Sequence, residues 1–567
     1  MTFRPLLLPA RLALVALALC TLPATASDGP ATPSPSLAAS ASAQDAPGRV
    51  IVKYRADSGF MRALASTGAR AARPPQQAAA LSQRLRHPLN DGRVLGNRTQ
   101  GLHAWGLSSA QLVAQLALQP EVEWVVPDLR RNISALPNDP LLGGGQLLST
   151  PSVGQWYLRA PDSTAVSAIN ATGAWDLTTG SPGVTIALLD TGVRLNHPDL
   201  AGKLHPGYDF VQNSVVANDG DGRDADANDP GDWTTAGECG AGIRASNSSW
   251  HGTQVAGLIG AATNNGLGMA SVGRNVMVLP MRVLGRCGGV DSDIIAAARW
   301  AAGLSSDVGS GAPVVNAHPA KAINMSFGSD GACPNSYRDL IAELGAAGVS
   351  VVVAAGNENG LAVDTPANCP GAIAVAGVRH VGTKVGYSSL GPEVALAAPA
   401  GNCVNIGVGP CLYPLVTTIN TGTTSPLADT FSDGSNASIG TSFSAPLVAG
   451  TIGLMLSVNP ALTLAQVRSV LQASARTFPV TGGEAAATAC HAPTAVDQLE
   501  CYCTTSTCGA GLLDAARAVA LALAQPPAEV AALAPATSSG GGALGWGWLL
   551  GLVAAGLAHR MSRARRP

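Results

Sequence analysis

Charge is scarce in this chain: Asp, Glu, Lys and Arg make up only 12% of 567 residues, and the formal net charge is −2. That balance excludes a solvated polyelectrolyte and supplies no basic field for a phosphate backbone, so no nucleic-acid partner is expected. Aromatic residues are also few, at 4%. No internal repeat is visible, which excludes a solenoid, and neither terminal apolar run reaches the roughly 20 residues of a comfortable membrane span. What is abundant is apolar (46%), glycine (66) and proline (39), a mixture suited to compact folding with many turns. The length exceeds one ordinary domain of about 100–200 residues.

Both ends carry export signals. Arg4 and Arg11, the apolar run Leu12 to Leu22, and Ala24-Thr25-Ala26 follow the charged, apolar, small-residue order of a secretory signal. Residues 1–26 are expected to be removed, Cys20 with them; the alternative, a membrane anchor, is disfavoured by the shortness of the run. At the other end Gly540-Gly541-Gly542 precede an apolar run from Ala543 to Ala558, and Arg560, Arg563, Arg565 and Arg566 follow it. Those 16 residues span about 24 Å as a helix, against a hydrocarbon core of about 30 Å. The arginines set its orientation by the positive-inside tendency. This tail resembles the GlyGly-CTERM class of bacterial sorting signals, thought to be removed by a rhomboid-type protease; a plain C-terminal helix is the alternative. The resemblance implies transient attachment of residues 541–567 to the inner membrane, then release through the periplasm of a Gram-negative-type cell.

Between the ends, residues 27–47 and 526–540 are rich in Ala, Ser, Pro and Gly and read as linkers that cannot bury a core. Residues 48–134 read as a small α+β unit: Arg49 to Tyr54 alternates like a strand, Gln111 to Gln119 has a helical pattern, and Val122 to Val126 closes as a strand. Residues 135–525 alternate apolar strand-like runs (184–189, 276–283, 322–325, 349–354, 372–375) with helical stretches such as 293–302 and 337–345. That alternation predicts an α/β fold, a mostly parallel sheet with helices on both faces.

Ten cysteines follow the signal, and an even number in an exported chain predicts five disulfides. Cys403 and Cys411 are close enough to pair. Cys501 and Cys503 are too close to pair easily with each other, so each is expected to join Cys490 or Cys508. Zinc at Cys501, Cys503 and Cys508 is disfavoured because paired Cys-x-x-Cys spacing is missing.

Three stretches place reactive side chains at element edges. Ala187-Leu-Leu-Asp190-Thr-Gly192 ends an apolar strand in a carboxylate, His251-Gly-Thr-Gln-Val-Ala-Gly257 begins a helix, and Gly440-Thr-Ser442-Phe-Ser-Ala-Pro446 leads into another. Singly, such residues are turn formers and helix caps. Together and in this order they resemble the subtilisin-like serine proteases, the subtilases. The resemblance spans about residues 137–523. It implies a secreted, monomeric endopeptidase in which Ser442 attacks the peptide carbonyl, His251 carries the proton and Asp190 orients the histidine. Asn357, after Ala354-Ala355-Gly356, matches the oxyanion-hole asparagine.

The resemblance also assigns substrate contacts. Asn324-Met-Ser326-Phe327-Gly328 matches the strand that pairs with an extended protein or peptide substrate. Ala355 and Gly356 match the first specificity pocket, and Cys287-Gly288-Gly289 its opposite rim. For calcium, Asp199 and Thr263-Asn-Asn265-Gly-Leu267-Gly-Met269 match the family's binding segments, whose oxygens suit a hard cation. The loop containing Asp219, Asp221, Asp226 and Asp229 is acidic enough either to take a cation or to stand solvated. Residues 48–134 match the inhibitory propeptide, with a junction near Ser134 to Leu136. Pairings of Cys239 with Cys287 and Cys333 with Cys369 are implied by extracellular relatives. Gln254 and Phe443 depart from the family's usual histidine and methionine. A serine esterase is disfavoured because Gly440 to Ser444 lacks the last glycine of G-x-S-x-G and the histidine precedes the serine. A silent binding protein on the same scaffold is disfavoured because all four catalytic residues are present.

Overall fold

The computed structural model describes residues 47–58, 74–96, 98–128, 136–144, 152–309, 311–402 and 411–526. The signal, nearly all of both linkers, the 134–135 part of the junction and the sorting tail lie outside the described residues.

The N-terminal unit is a four-stranded antiparallel sheet with two helices. It runs β1 (Gly48–Tyr54), α1 (Pro74–Leu85), β2 (Asn90–Gly96), β3 (Thr99–Ala104), α2 (Ser109–Ala117) and β4 (Val122–Pro127), in the strand order β2-β3-β1-β4. The alternation in β1 works as expected for a half-buried strand. Val50, Val52 and Tyr54 point into a core with Leu102, Leu112 and Leu116. Helix α2 begins two residues before the expected Gln111, because Ser108 caps it: its hydroxyl accepts from Gln111 N, while the Gln111 side chain accepts from Ser108 N.

The second unit is built on seven parallel strands. They are β5 (Thr185–Asp190), β6 (Tyr208–Asp209), β7 (Met277–Arg282), β8 (Ala322–Met325), β9 (Ser350–Ala354), β10 (Ile373–Val378) and β11 (Val394–Pro399), in the order β11-β10-β9-β8-β5-β7-β6. Five lie where apolar runs predict them. Two-residue β6 is too short for a periodic signal, and alanine-rich β11 holds a single β-branched residue, Val394, of the kind that favours strands.

Every residue of β5 is buried, so its two faces can be followed into two separate layers. Ile186 and Leu188 join the core that contains Val255 and Ile259 of α3 (His251–Gly260), while Ala187 and Leu189 join Ile294 of α4 (Asp291–Ala301) and Leu340 of α5 (Asn335–Ala346). The first layer is completed by α6 (Ser444–Val458), α7 (Leu464–Ser474) and α8 (Ala515–Ala524). Helices on both faces are what all-parallel pairing requires. Full burial of one leucine such as Leu188 stabilises by roughly 1.5–3 kcal/mol.

Thr441–Val458 is long and apolar enough to cross a membrane, yet 83% of it is buried inside the protein. It is the central helix of the first layer. Because β7 and β8 lie on opposite sides of β5, the chain leaves the sheet in two directions there. In open parallel sheets ligands bind outside the carboxyl ends of strands at such a point.

Candidate active site

Asp190 is the last residue of β5 and is fully buried. Its carboxylate accepts from the Thr191 backbone N–H at 2.8 Å and faces His251 Nδ1 at 2.8 and 3.0 Å. His251 opens α3, after Trp250 in the left-handed conformation, φ 53°. That backbone is costly for a bulky residue. It is anchored by a buried indole that donates to the Gly422 carbonyl at 2.7 Å. Burial opposes a charge on His251, but Asp190, with Asp232 and Asp229 behind it, outweighs burial and raises the imidazole's pKa.

A layer that the sequence reading missed supports this pair. Thr191 accepts from Gly252 N at 3.0 Å and donates to Asp229 at 2.8 Å, tying the strand end to the helix start. Asp229 is pushed up to about 7 by burial and by Asp232. Asp232 holds Ser249 through its N–H at 2.6 Å and its hydroxyl at 2.7 Å. Gln254 bridges the Ser249 carbonyl, at 2.8 Å, to the Ser438 hydroxyl. Of this layer, Asp229 stood out in sequence for a different role, and Gln254 only as a departure from the family's usual histidine.

Ser442 lies in the short 3-10 turn Thr441–Phe443 that leads into α6. Its hydroxyl donates to the Ser326 carbonyl at 3.0 Å, and Ser326 Oγ donates to the Ser442 carbonyl at 2.7 Å. Asn324 completes the chain by donating to Ser326 Oγ at 2.9 Å. The Phe443 ring lies 5.5 Å from the His251 ring. Asn357 follows β9, and its amide oxygen accepts from Thr441 N at 2.9 Å. Its Nδ2 donor is thereby turned away from Thr441.

The substrate candidates surround this centre. Ser326, Phe327 and Gly328 continue β8 from burial to exposure, while Ala355 and Gly356 continue β9 and stay buried. Gly356 has φ 111°, which only glycine adopts without strain. Gly288 and Gly289 are exposed beside Cys287, which is bonded to Cys239.

The calcium candidates divide. Asp199 is fully buried and accepts from Asn265 Nδ2 and Met269 N, both at 2.8 Å, so the loop Thr263–Met269 wraps it. Burial pushes Asp199 up to about 6, aided by Asp139. The donor types suit calcium, but Asn265 presents an N–H to Asp199 while Leu267 N occupies its oxygen at 2.9 Å. The acidic loop does not converge. Asp219 pairs with buried Arg282, Asp229 serves Thr191, and Asp221 and Asp226 face solvent. Arg282 supplies one positive charge there, shared by Asp219 and Asp209.

Among the described residues, the one group of three potential ligand side chains is Cys490, Cys503 and Cys508. Their sulfurs belong to the disulfides Cys490–Cys501 and Cys503–Cys508, which decides the open pairing against zinc. Cys239–Cys287 and Cys333–Cys369 form as implied. Cys411 is disulfide-bonded, and Cys403 lies outside the described residues.

Residues 181–502, more than half of the chain, match the subtilase family model. The chain belongs to the subtilase family. This subtilase is 40% identical over 370 residues to an extracellular protease of Xanthomonas campestris, covering 65% of this chain and 58% of the relative. It is 35% identical over 365 residues to an extracellular basic protease of Dichelobacter nodosus, covering 63% and 55%. The subtilase thus spans little more than half the length of these two relatives. A solved structure titled as a protease from Pseudoalteromonas arctica is similar with TM-score 0.56 and 40% identity, covering 68% of this chain and all of that one.

Proposed function

We propose that this subtilase is a secreted serine endopeptidase acting on proteins through an acyl-enzyme intermediate. The observation that carries the reading is the 2.8 Å contact of Asp190 with His251 Nδ1, with Ser442 beside the His251-packed Phe443. Asp190 holds the tautomer that leaves Nε2 unprotonated. Ser442 gives up its hydrogen bond to Ser326, passes its proton to His251 and bonds to the scissile carbonyl carbon. Negative charge then grows on the carbonyl oxygen, where Asn357 Nδ2 and the Ser442 N–H donate to it; the start of α6 adds a favourable dipole. His251 returns the proton to the leaving amine, and water repeats the sequence on the ester. An extended substrate pairs with Ser326 to Gly328.

In the same reading residues 48–134 are a propeptide that inhibits and is then cut off, 541–567 hold the precursor briefly at the inner membrane, and the mature enzyme is a monomer. Calcium, if taken up, sits at Asp199 with the Asn265 amide turned to present oxygen and with carbonyls of Thr263, Leu267 and Met269; its role is to stabilise the loop. The test is Ser442→Ala, which should abolish caseinolysis and leave the precursor unprocessed. Caseinolysis retained by that variant in a protease-free background refutes the mechanism, and an ester-only activity of the native enzyme favours an esterase.

A further inference from the structure

The sequence leaves the side-chain preference at the cleaved bond open, but the surroundings of Asp364 narrow it. Asp364 is buried, and its Oδ1 is enclosed without any hydrogen-bond partner. An unpaired carboxylate in such a place is strongly disfavoured, so its retention calls for a partner that arrives from outside.

Its position says where that partner comes from. A Cβ added to Gly356 would lie 2.4 Å from Asp364 Oδ2, and one added to Gly328 would lie 2.9 Å from Asp364 Cβ and 3.3 Å from Oδ2. The carboxylate is therefore held between Gly328, in the segment assigned to pair with the substrate, and Gly356, in the segment assigned to the first specificity pocket. The backbone is tied there as well. Asp364 N donates to the Ala355 carbonyl at 3.0 Å, and Ser329 and Thr365 exchange N–H to carbonyl bonds at 3.0 and 2.9 Å. Gly356 also touches the nucleophile's turn, through Thr441 Oγ1 at 3.1 Å from its carbonyl. Gly356 thus lies between the acid and the turn that carries Ser442.

Among the described residues no cation acts on it: burial, then Glu358 and Asp330, push it up to about 6. Both neighbours are exposed carboxylates, so the local field attracts positive charge. Apolar side chains would leave Oδ1 unpaired; an ammonium or guanidinium would satisfy it. In trypsin, a serine protease of another fold, the first specificity pocket holds a carboxylate where chymotrypsin has a hydrophobic slot, and that difference sets which side chain is accepted.

We infer that Asp364 is a specificity-determining residue, and that the enzyme prefers lysine or arginine on the amino-terminal side of the cleaved bond. This rests on the endopeptidase reading.

The experiment uses two fluorogenic peptides identical except for Arg or Leu at that residue. The native enzyme should cleave the Arg peptide with at least about tenfold higher kcat/KM, and Asp364→Asn should lower the Arg-to-Leu ratio by at least about 100-fold. As a measurement that needs no variant, a peptide aldehyde ending in arginine should inhibit the native enzyme more tightly than one ending in leucine. Equal or better cleavage of the Leu peptide by the native enzyme overturns the inference alone. Cleavage of neither peptide, nor of casein, overturns the endopeptidase reading and this inference with it. An unchanged ratio in a folded Asp364→Asn enzyme also overturns it.

Discussion

Ser326 and Ser442 hold each other reciprocally: the Ser326 hydroxyl donates to the Ser442 carbonyl at 2.7 Å, and the Ser442 hydroxyl donates to the Ser326 carbonyl at 3.0 Å. Ser442 is thus fixed to the end of β8 by two bonds, one of which the proposed mechanism keeps and one of which it breaks. Ser326→Ala removes the kept one and strands the buried Asn324 amide. We expect a loss of roughly 1–3 kcal/mol in stability, and a fall in kcat larger than any rise in KM. Denaturant unfolding and steady-state kinetics check both; an unchanged kcat would remove Ser326 from positioning the nucleophile.

Asn357 is fixed differently, by its oxygen on Thr441 N. Asn357→Ala should lower kcat by about 10²–10³, equivalent to about 2.7–4 kcal/mol, with a weaker effect on KM. Thr441→Val should reproduce part of this, because Thr441 Oγ1 also lies 3.2 Å from Asn357 Oδ1. A normal turnover number in Asn357→Ala would contradict the oxyanion assignment.

Catalysis requires neutral His251, and its surroundings raise the pKa. Activity should therefore fall on acidification through a midpoint above the ordinary histidine value of about 6.5. Asp190→Asn removes the main group that raises it, so the acid limb should move to lower pH while kcat drops by about 10⁴. A pH profile of kcat/KM in both enzymes decides this, and an acid limb unmoved by the substitution would separate Asp190 from His251.

Chelation should lower the melting temperature of inhibitor-blocked enzyme, since a cation that binds only the folded state stabilises it. Asp199→Ala should erase most of the difference between chelated and calcium-loaded samples. Identical melting curves with and without chelator would show that the Asn265 N–H to Asp199 bond is the working arrangement.

Non-reducing peptide mapping of the mature enzyme should recover Cys403 joined to Cys411, and should end before residue 541. A mature, released chain still carrying His559 to Pro567 would show that the tail is not a sorting signal.

The sequence made the catalytic strand ends legible because each is a buried apolar run that stops at a reactive residue, as in Leu188-Leu189-Asp190. It made the nucleophile legible because Ser442 sits just ahead of an unmistakably apolar helix. Asp364 and Thr191 were not legible. Asp364-Thr365-Pro366 has the composition of an ordinary turn, and only the fold brings it between Gly328 and Gly356. Thr191 acts through Asp229, and no local spacing announces a hydrogen bond across 38 residues. The partner of Asp219 is hidden in the same way: Arg282 reaches it, and Asp209, from β7. Helix α1 opens with two prolines, which are tolerated in a first turn but announce no helix.

The central placement of α6 also sets a schedule. A chain that emerges from its amino terminus presents Asp190 and His251 early, but Ser442 much later, and the helix behind Ser442 is held in place partly by Ala518, Val519 and Ala522 of α8. No partial chain that stops short of α8 has the complete support of its nucleophile. Activity is therefore expected only once the chain as far as α8 has joined the fold.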